Sequence, residues 1–223
     1  MNQISFLTHE LKNPLAICQG YLEMYAKSST KKKEEYIDII KNEIKRTLTI
    51  IEDYSELSKI ENLSKEPLDL VLLYDEIKEE LTPLFKENQG EIIILDSKEI
   101  YIEGDYTKLK QLFYNLLKNA LEAKDRNKLL VIIKTLEYEN KYCITITDNG
   151  VGMTQEELSH VEEEYYTTKI NGTGLGVPLM KEIVKKHGWE LSYQSKKGVG
   201  TKVEIIIPKE KSPKTFNNNS NYY

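Results

Sequence analysis

The sequence predicts an α+β protein: an antiparallel helical hairpin at the N-terminus, then a layer of antiparallel strands with helices on one face. Three observations carry this. Apolar residues recur every three or four positions from residue 4 to residue 25 and again from residue 37 to residue 57. That periodicity stops between Asn62 and Pro67. Beyond the break, short alternating runs interleave with further helical stretches.

The first helix spans residues 3 to 27, with an apolar stripe at Ile4, Leu7, Leu11, Leu15, Cys18, Leu22 and Tyr25. Ser28 to Lys33 is a polar break rich in lysine. A second stripe follows at Ile37, Ile40, Ile44, Leu48, Ile51, Tyr54 and Leu57. Two such helices joined by a short break form a hairpin. A lone hairpin leaves much of its apolar seam wet, so the pattern predicts a homodimer in which two hairpins make a four-helix bundle. Pro67 disfavours helix at Glu66 and marks the boundary. Leu72 to Asn88 reads as a helix interrupted or ended near Pro83, followed by short strands at Glu91–Leu95 and Ile100–Glu103. Asp105 caps a helix to about Lys124. Leu129–Tyr138 and Lys141–Asp148 form a hairpin about Glu139-Asn140. A short helix covers Thr154–Val161, and a longer one runs from Val177 to His187, where His187 before Gly188 reads as a C-terminal cap. Trp189–Gln194 and Thr201–Ile207 close the layer as a second hairpin about Lys196 to Gly200. The expected domains are 1–62 and 67–208, with a disordered polar tail at 209–223.

Composition narrows the function classes. The longest apolar runs, such as Leu129–Ile133, fall far below the ~18 residues that a bilayer span needs. No basic-then-apolar leader follows Met1, so the expected location is cytoplasmic, with no membrane contact by the chain itself. A net charge of -5 argues against a nucleic-acid partner. Cys18 and Cys143 lack the spacing of a disulfide or zinc framework and read as core residues.

Three segments carry candidate chemistry. Alternation along the strand puts Asp148 on the face of Ile144 and Ile146, where a carboxylate needs a partner; Gly150 and Gly152 directly after it let the backbone turn and a ligand come close. In isolation, Asp148-Asn149-Gly150 reads first as a strand-end turn. Gly172-Thr173-Gly174-Leu175-Gly176 opens onto a helix N-terminus, where free backbone N–H groups and the helix dipole can meet a phosphate. Alone it is equally a flexible loop, and it fits neither the Rossmann nor the P-loop pattern. Asn115 and Asn119 lie one turn apart on one helix face, where they could ligate a hard cation beside phosphates or simply be solvated.

Together, in order and with the run Tyr165-Tyr166-Thr167-Thr168-Lys169 just before the last glycines, these segments resemble the ATP-binding domain of sensor histidine kinases. That domain is the α/β sandwich of the gyrase, Hsp90, histidine kinase and MutL superfamily. The resemblance implies ATP and Mg²⁺ as cofactors, Asp148 bonding the adenine amino group, Asn119 ligating Mg²⁺ with Asn115 beside it, and residues 165–176 as a mobile lid over the phosphates. Tyr166, Thr167, Thr168, Lys169, Gly172, Thr173, Gly174, Leu175 and Gly176 are its nucleotide-facing candidates. The first helix adds His9-Glu10-Leu11-Lys12-Asn13-Pro14, which is similar to the phosphoacceptor box of the same family. His9 is expected to face solvent as nucleophile, with Glu10 orienting the imidazole and accepting its proton. Asn13 shares the His9 face, and Pro14 should loosen the helix nearby. The family reading also gives Glu10 and Asn13 a part in dephosphorylating a partner, the receiver domain of a response regulator. The stretch Asn119-Ala120-Leu121-Glu122-Ala123 is similar to sporulation-type members.

Some residues depart from the family pattern. Glu122 stands where many relatives carry a phosphate-binding lysine, and Glu162-Glu163-Glu164 makes the lid's approach acidic. Only eight residues precede His9, so the sequence as it stands reads as a fragment or as a kinase without a sensor. Two alternatives belong to other classes: a phosphotransfer or scaffold dimer with a degenerate ATP domain, and a conformational ATPase of the same superfamily. The second requires a glutamate at position 115, where Asn115 cannot act as a base.

Overall fold

The computed structural model describes residues 3–58, 60, 62–95, 98–125, 128–163, 166–169 and 172–209. The chain forms two compact units, one of residues up to Ser64 with Gln155–Ile183, the other of Lys65–Thr154 with the chain from Val184 onward. The expected tail lies, after Lys209, outside the described residues.

In the first unit α1 (Gln3–Ala26) and α2 (Thr30–Ser58) form the expected hairpin. The Ser28 hydroxyl caps α1 by donating to the Met24 carbonyl at 2.7 Å. The lysine cluster is not part of the break: α2 begins at Thr30, and Lys33 is held there over the Tyr25 ring at 4.8 Å. Helix α1 also runs unbroken through Pro14, which is buried. The seam within one hairpin is narrower than the predicted stripes. It buries Pro14 and Cys18 against Tyr36, Ile40 and Ile50, with the Cys18 thiol donating to the Ile40 carbonyl at 3.8 Å. Leu15, Leu22, Ile44, Leu48 and Ile51 are instead exposed. Each helix thus carries apolar residues on more than the one face a single partner can cover, and stripe counting merged the two. The unit also holds α5 (Gln155–His160) and the start of α6 (Gly176–His187).

The second unit holds a five-stranded sheet in the order β2-β4-β5-β7-β6, from β2 (Gly90–Ile94), β4 (Leu129–Glu137), β5 (Lys141–Asp148), β6 (Glu190–Lys196) and β7 (Gly200–Pro208). Strands β4, β5, β7 and β6 are antiparallel, as expected. The β2–β4 pair is parallel instead, because the connection between them is long enough for a crossover. A separate two-stranded sheet pairs β1 (Glu66–Asp69) with β3 (Tyr101–Gly104). The sequence reading missed β1 because it contains a proline. Pro67 is tolerated because the strand has one neighbour only and needs no second row of donors.

Helices α3 (Leu70–Glu87) and α4 (Tyr106–Glu122) cover one face of the large sheet. Each starts at an aspartate cap: Asp69 Oδ1 accepts from Val71 N at 2.9 Å, and Asp105 Oδ1 from Lys108 N at 3.0 Å. Helix α3 starts at Leu70 and continues through exposed Pro83, since burial of Leu81 and Phe85 on either side outweighs the one lost backbone bond. The α4 residues Leu109, Leu112, Phe113, Leu116, Leu117 and Ala120 are buried, over core-facing Val131, Ile133, Ile144, Ile146, Val203 and Ile205. His187 does more than end α6. Gly188 makes the turn at φ +80, while the buried His187 ring accepts the Asp105 N–H through Nε2 at 3.0 Å. Both cysteines are buried, and burial pushes their thiols above the usual range.

Candidate functional site

Asp148 ends β5 half-buried on the helix-covered face, as alternation predicted. Its Oδ1 accepts two backbone N–H groups, from Gly150 at 2.8 Å and from Thr201 at 3.3 Å. Both bonds fall on one oxygen, which leaves Oδ2 for a donor from outside. Burial pushes the carboxyl above the usual aspartate range, and the two backbone bonds pull it partly back.

The glycines around Asp148 serve the protein before any ligand. A Cβ on Gly150 would sit 2.5 Å from the Ala123 carbonyl oxygen at the end of α4, where Val151 N also bonds that oxygen at 2.8 Å. Gly152 has φ +60, and its Cβ would land on the Lys196 carbonyl. Gly200 has φ +132, with Asp148's own carbonyl in the way. Sequence reasoning missed Gly200, Thr201 and Ser195. The Ser195 hydroxyl accepts Met153 N at 2.8 Å and lies 2.9 Å from Thr201 Oγ1, tying the turn after Asp148 to the β6–β7 hairpin. Gly198-Val199-Gly200-Thr201 was the available signal, and it read as an ordinary hairpin turn.

Asn115 and Asn119 occupy successive turns of α4, both half-buried, and the end of that helix adjoins the Gly150 turn. Among the described residues no group of three His, Cys, Asp or Glu side chains could hold a metal ion. A cation at Asn119 would therefore draw most of its ligands from phosphates and water, which suits Mg²⁺. Glu122 is exposed at the last turn of α4. A groove of about 450 Å³ opens beside Leu130, Ile132, Thr147, Gln194 and Lys202. These residues share the sheet face opposite the Asp148 side chain, and the groove also reaches Asp148, Asn149, Gly200 and Thr201, so it adjoins the candidate site at the end of β5.

The lid candidates lie in the first unit. Tyr165 falls outside the described residues, as do Glu164, Ile170 and Asn171. Thr167 Oγ1 accepts Lys169 N at 3.1 Å, and Gly172 N donates to the Lys169 carbonyl at 3.2 Å, so the loop folds on itself. The acidic approach is partly neutralised where Glu162 pairs with Lys181 at 2.6 Å, and Glu163 Oε1 lies 2.9 Å from His160 Nδ1. Thr173 Oγ1 donates to Asp53 of α2 and accepts from Leu175 N. Gly174 takes φ +67. Gly176, the first residue of α6, differs from the Asp148 glycines, since nothing lies within 4 Å of a Cβ placed there.

Glycines the fold needs should therefore behave differently from one that a ligand alone would need. Gly152→Ala should destabilise the fold by about 1–3 kcal/mol from its φ alone, a fall in thermal midpoint of about 3–10 °C. Gly176→Ala should leave the midpoint unchanged or raise it, while weakening nucleotide binding about tenfold. Thermal melts beside nucleotide titrations check both; equal destabilisation by the two would refute the distinction.

His9, Glu10 and Asn13 lie on α1, with Asn13 exposed and Glu10 half-buried. The direction of the His9 side chain lies outside the described residues. No helix among the described residues is long and apolar enough to cross a membrane.

Residues 2–63 match the family model of the His Kinase A (phospho-acceptor) domain. Residues 104–211 match that of the histidine kinase-, DNA gyrase B-, and HSP90-like ATPase. Sporulation kinase C of Bacillus subtilis (strain 168) is 33% identical over 208 residues, covering 91% of this chain and 47% of that protein. The chain thus spans about half the length of this relative. Among solved structures, Acinetobacter baumannii histidine kinase AdeS superposes with a TM-score of 0.72 at 20% identity, covering 91% of this chain and 98% of that one. Histidine kinase ThkA, solved in complex with response regulator protein TrrA, gives 0.76 at 24% identity, covering 92% of this chain and 60% of that one. At these identities the superpositions speak to fold alone.

Proposed function

The chain belongs to the histidine kinase family that joins a phosphoacceptor hairpin to an ATPase-type domain, and on that premise we propose that it is an ATP-dependent protein-histidine kinase. The reading assigns residues 1–62 to the phosphoacceptor hairpin and 67–208 to the ATP-binding domain. The observation that carries it is Asp148: a half-buried carboxylate fixed through Oδ1 and offering Oδ2 to a donor such as the adenine amino group. Asn119, with Asn115 one turn away, would hold Mg²⁺, which neutralises phosphate charge when bound. Lys169 and the Gly172–Gly176 loop would cover the phosphates from the N-terminus of α6.

In the reaction a nitrogen of His9 attacks the γ-phosphorus, the bond to the β-phosphate oxygen breaks, and ADP departs. Glu10 takes the imidazole proton. Catalysis is then mainly positioning and charge neutralisation. The phosphoryl group would pass to an aspartate on the receiver domain of a separate response regulator, in the cytoplasm. A pairing of that kind is seen in the solved complex of ThkA with TrrA. Glu10 and Asn13 would also position water for the reverse duty, dephosphorylating that regulator. The exposed Leu15, Leu22, Ile44, Leu48 and Ile51 support a homodimer built on the hairpin.

Incubation with γ-labelled ATP and Mg²⁺, wild type beside His9→Gln, tests the reading. We expect acid-labile, base-stable label on wild type and none on the variant. No label on wild type while nucleotide still binds would turn the reading toward a phosphotransfer scaffold.

A further inference from the structure

The hydrogen bond between the Gly-rich loop and the hairpin has no part in phosphotransfer as described. Thr173 Oγ1 donates to Asp53 Oδ2 at 2.6 Å, a length typical of a hydroxyl bonded to a carboxylate. The same oxygen accepts Leu175 N at 3.3 Å, and Leu175 is buried. A threonine hydroxyl has one proton. While it is given to Asp53 it cannot be given to a phosphate oxygen, and Oγ1 itself occupies a backbone N–H at the mouth of α6. The two demands on this loop exclude one another.

We propose that Asp53 is an autoinhibitory latch: it competes with the phosphates of a nucleotide for Thr173, so that the hairpin restrains the loop that nucleotide must capture. The proposal rests on the reading of the Gly172–Gly176 loop as covering the phosphates. Two further observations support it. The charge has the right sign, because a carboxylate within reach of that loop repels a triphosphate as well as taking its donor. The position is also informative. Contacts of Cys18 with Ile40, Tyr21 with Tyr36 and Tyr25 with Lys33 set the hairpin register. Extending that register puts Asp53 opposite about residue 5, roughly one helical turn (~6 Å) from the level of His9. The latch thus joins the nucleotide loop to α2 beside the phosphoacceptor level. Coupling of this kind is reciprocal: a shift of α2 that withdraws Asp53 raises nucleotide affinity, and nucleotide binding releases α2.

The test measures binding rather than phosphorylation, so it stands apart from the kinase assay. The whole chain, with Mg²⁺, is titrated with a fluorescent trinitrophenyl analogue of ATP as wild type, Asp53→Ala, Asp53→Asn, Thr173→Val and the Asp53→Ala/Thr173→Val double variant. Circular dichroism confirms that each is folded. Asp53→Ala should bind about five- to tenfold more tightly than wild type, the equivalent of one net hydrogen bond. Asp53→Asn should fall between the two, since its amide oxygen still accepts while the charge is gone. In the Thr173→Val background, Asp53→Ala should tighten binding clearly less than it does in wild type, because the bond it would break is already absent and only the charge is removed. An Asp53→Ala variant that binds no more tightly than wild type overturns the latch and leaves the nucleotide site standing. Tightening that persists undiminished in the Thr173→Val background also overturns it, assigning the effect to bulk charge. If wild type binds no analogue at all, the nucleotide reading and the latch fall together.

Discussion

Asp148→Asn should weaken nucleotide binding by about 10- to 150-fold, the range for losing a hydrogen bond to a charged group, while leaving the fold at least as stable. The geometry fixes this combination. Gly150 N and Thr201 N both point at Oδ1, so the substituted amide must keep its oxygen there to go on accepting them. Its NH₂ then takes the place of Oδ2 and presents donors where the adenine amino group needs an acceptor. Stability moves the other way. Burial holds the Asp148 carboxyl above its ordinary range, so the ionised form is the one the fold disfavours. A carboxyl with a raised folded pKa opposes folding above that pKa, and its effect disappears below the unfolded value of about 3.9. The neutral amide should therefore raise the thermal midpoint slightly near pH 7, with the advantage gone in acid. In wild type, nucleotide affinity should fall on acidification at a higher pH than an ordinary aspartate would give. Titrations and melts of both proteins across pH check all three statements. A variant that binds like wild type would remove Asp148 from the site.

The elements that the sequence revealed are those with one dominant physical cause. The period of α4, with its Asp105 cap, and the alternation that puts Asp148 beside Ile146 each follow from burial on a single face. The missed features depend on partners distant in the chain. Strand β1 exists because Tyr101–Gly104 is there to pair with it. His187 is buried because the Asp105 N–H, 82 residues away, needs an acceptor. Thr201 reaches Asp148 across 53 residues through the β5–β7 register. Gly150 and Gly152 signal a backbone turn in the sequence, but the carbonyls of Ala123 and Lys196 that crowd them come from distant segments. The same limit explains the hairpin stripes, which mixed residues facing the partner helix with residues facing outward.

Those outward residues carry the second large effect. Leu48→Glu should convert the proposed dimer to monomer at micromolar concentration. Ile44, Leu48 and Ile51 follow one another at helical spacing on α2 and are 47%, 53% and 46% exposed in the single chain. Leu15 and Leu22 on α1 are each 53% exposed. Complete burial of each such half-exposed side chain gains about 1 kcal/mol, so no single contact dominates and deleting one methyl group would change little. A charge differs in kind. A glutamate at position 48 enters an apolar seam with no cation assigned to it, at a cost of several kcal/mol. Two-fold symmetry places that cost in the dimer twice. The intrachain seam of Pro14, Cys18, Tyr36, Ile40 and Ile50 is untouched, so circular dichroism should report a hairpin that remains largely helical. Leu72→Glu is the control. Leu72 on α3 is 68% exposed, more than any residue of the strip, yet it lies outside the hairpin. Sedimentation equilibrium should find wild type and Leu72→Glu dimeric and Leu48→Glu monomeric. A Leu48→Glu dimer, or a Leu72→Glu monomer, would place the interface elsewhere.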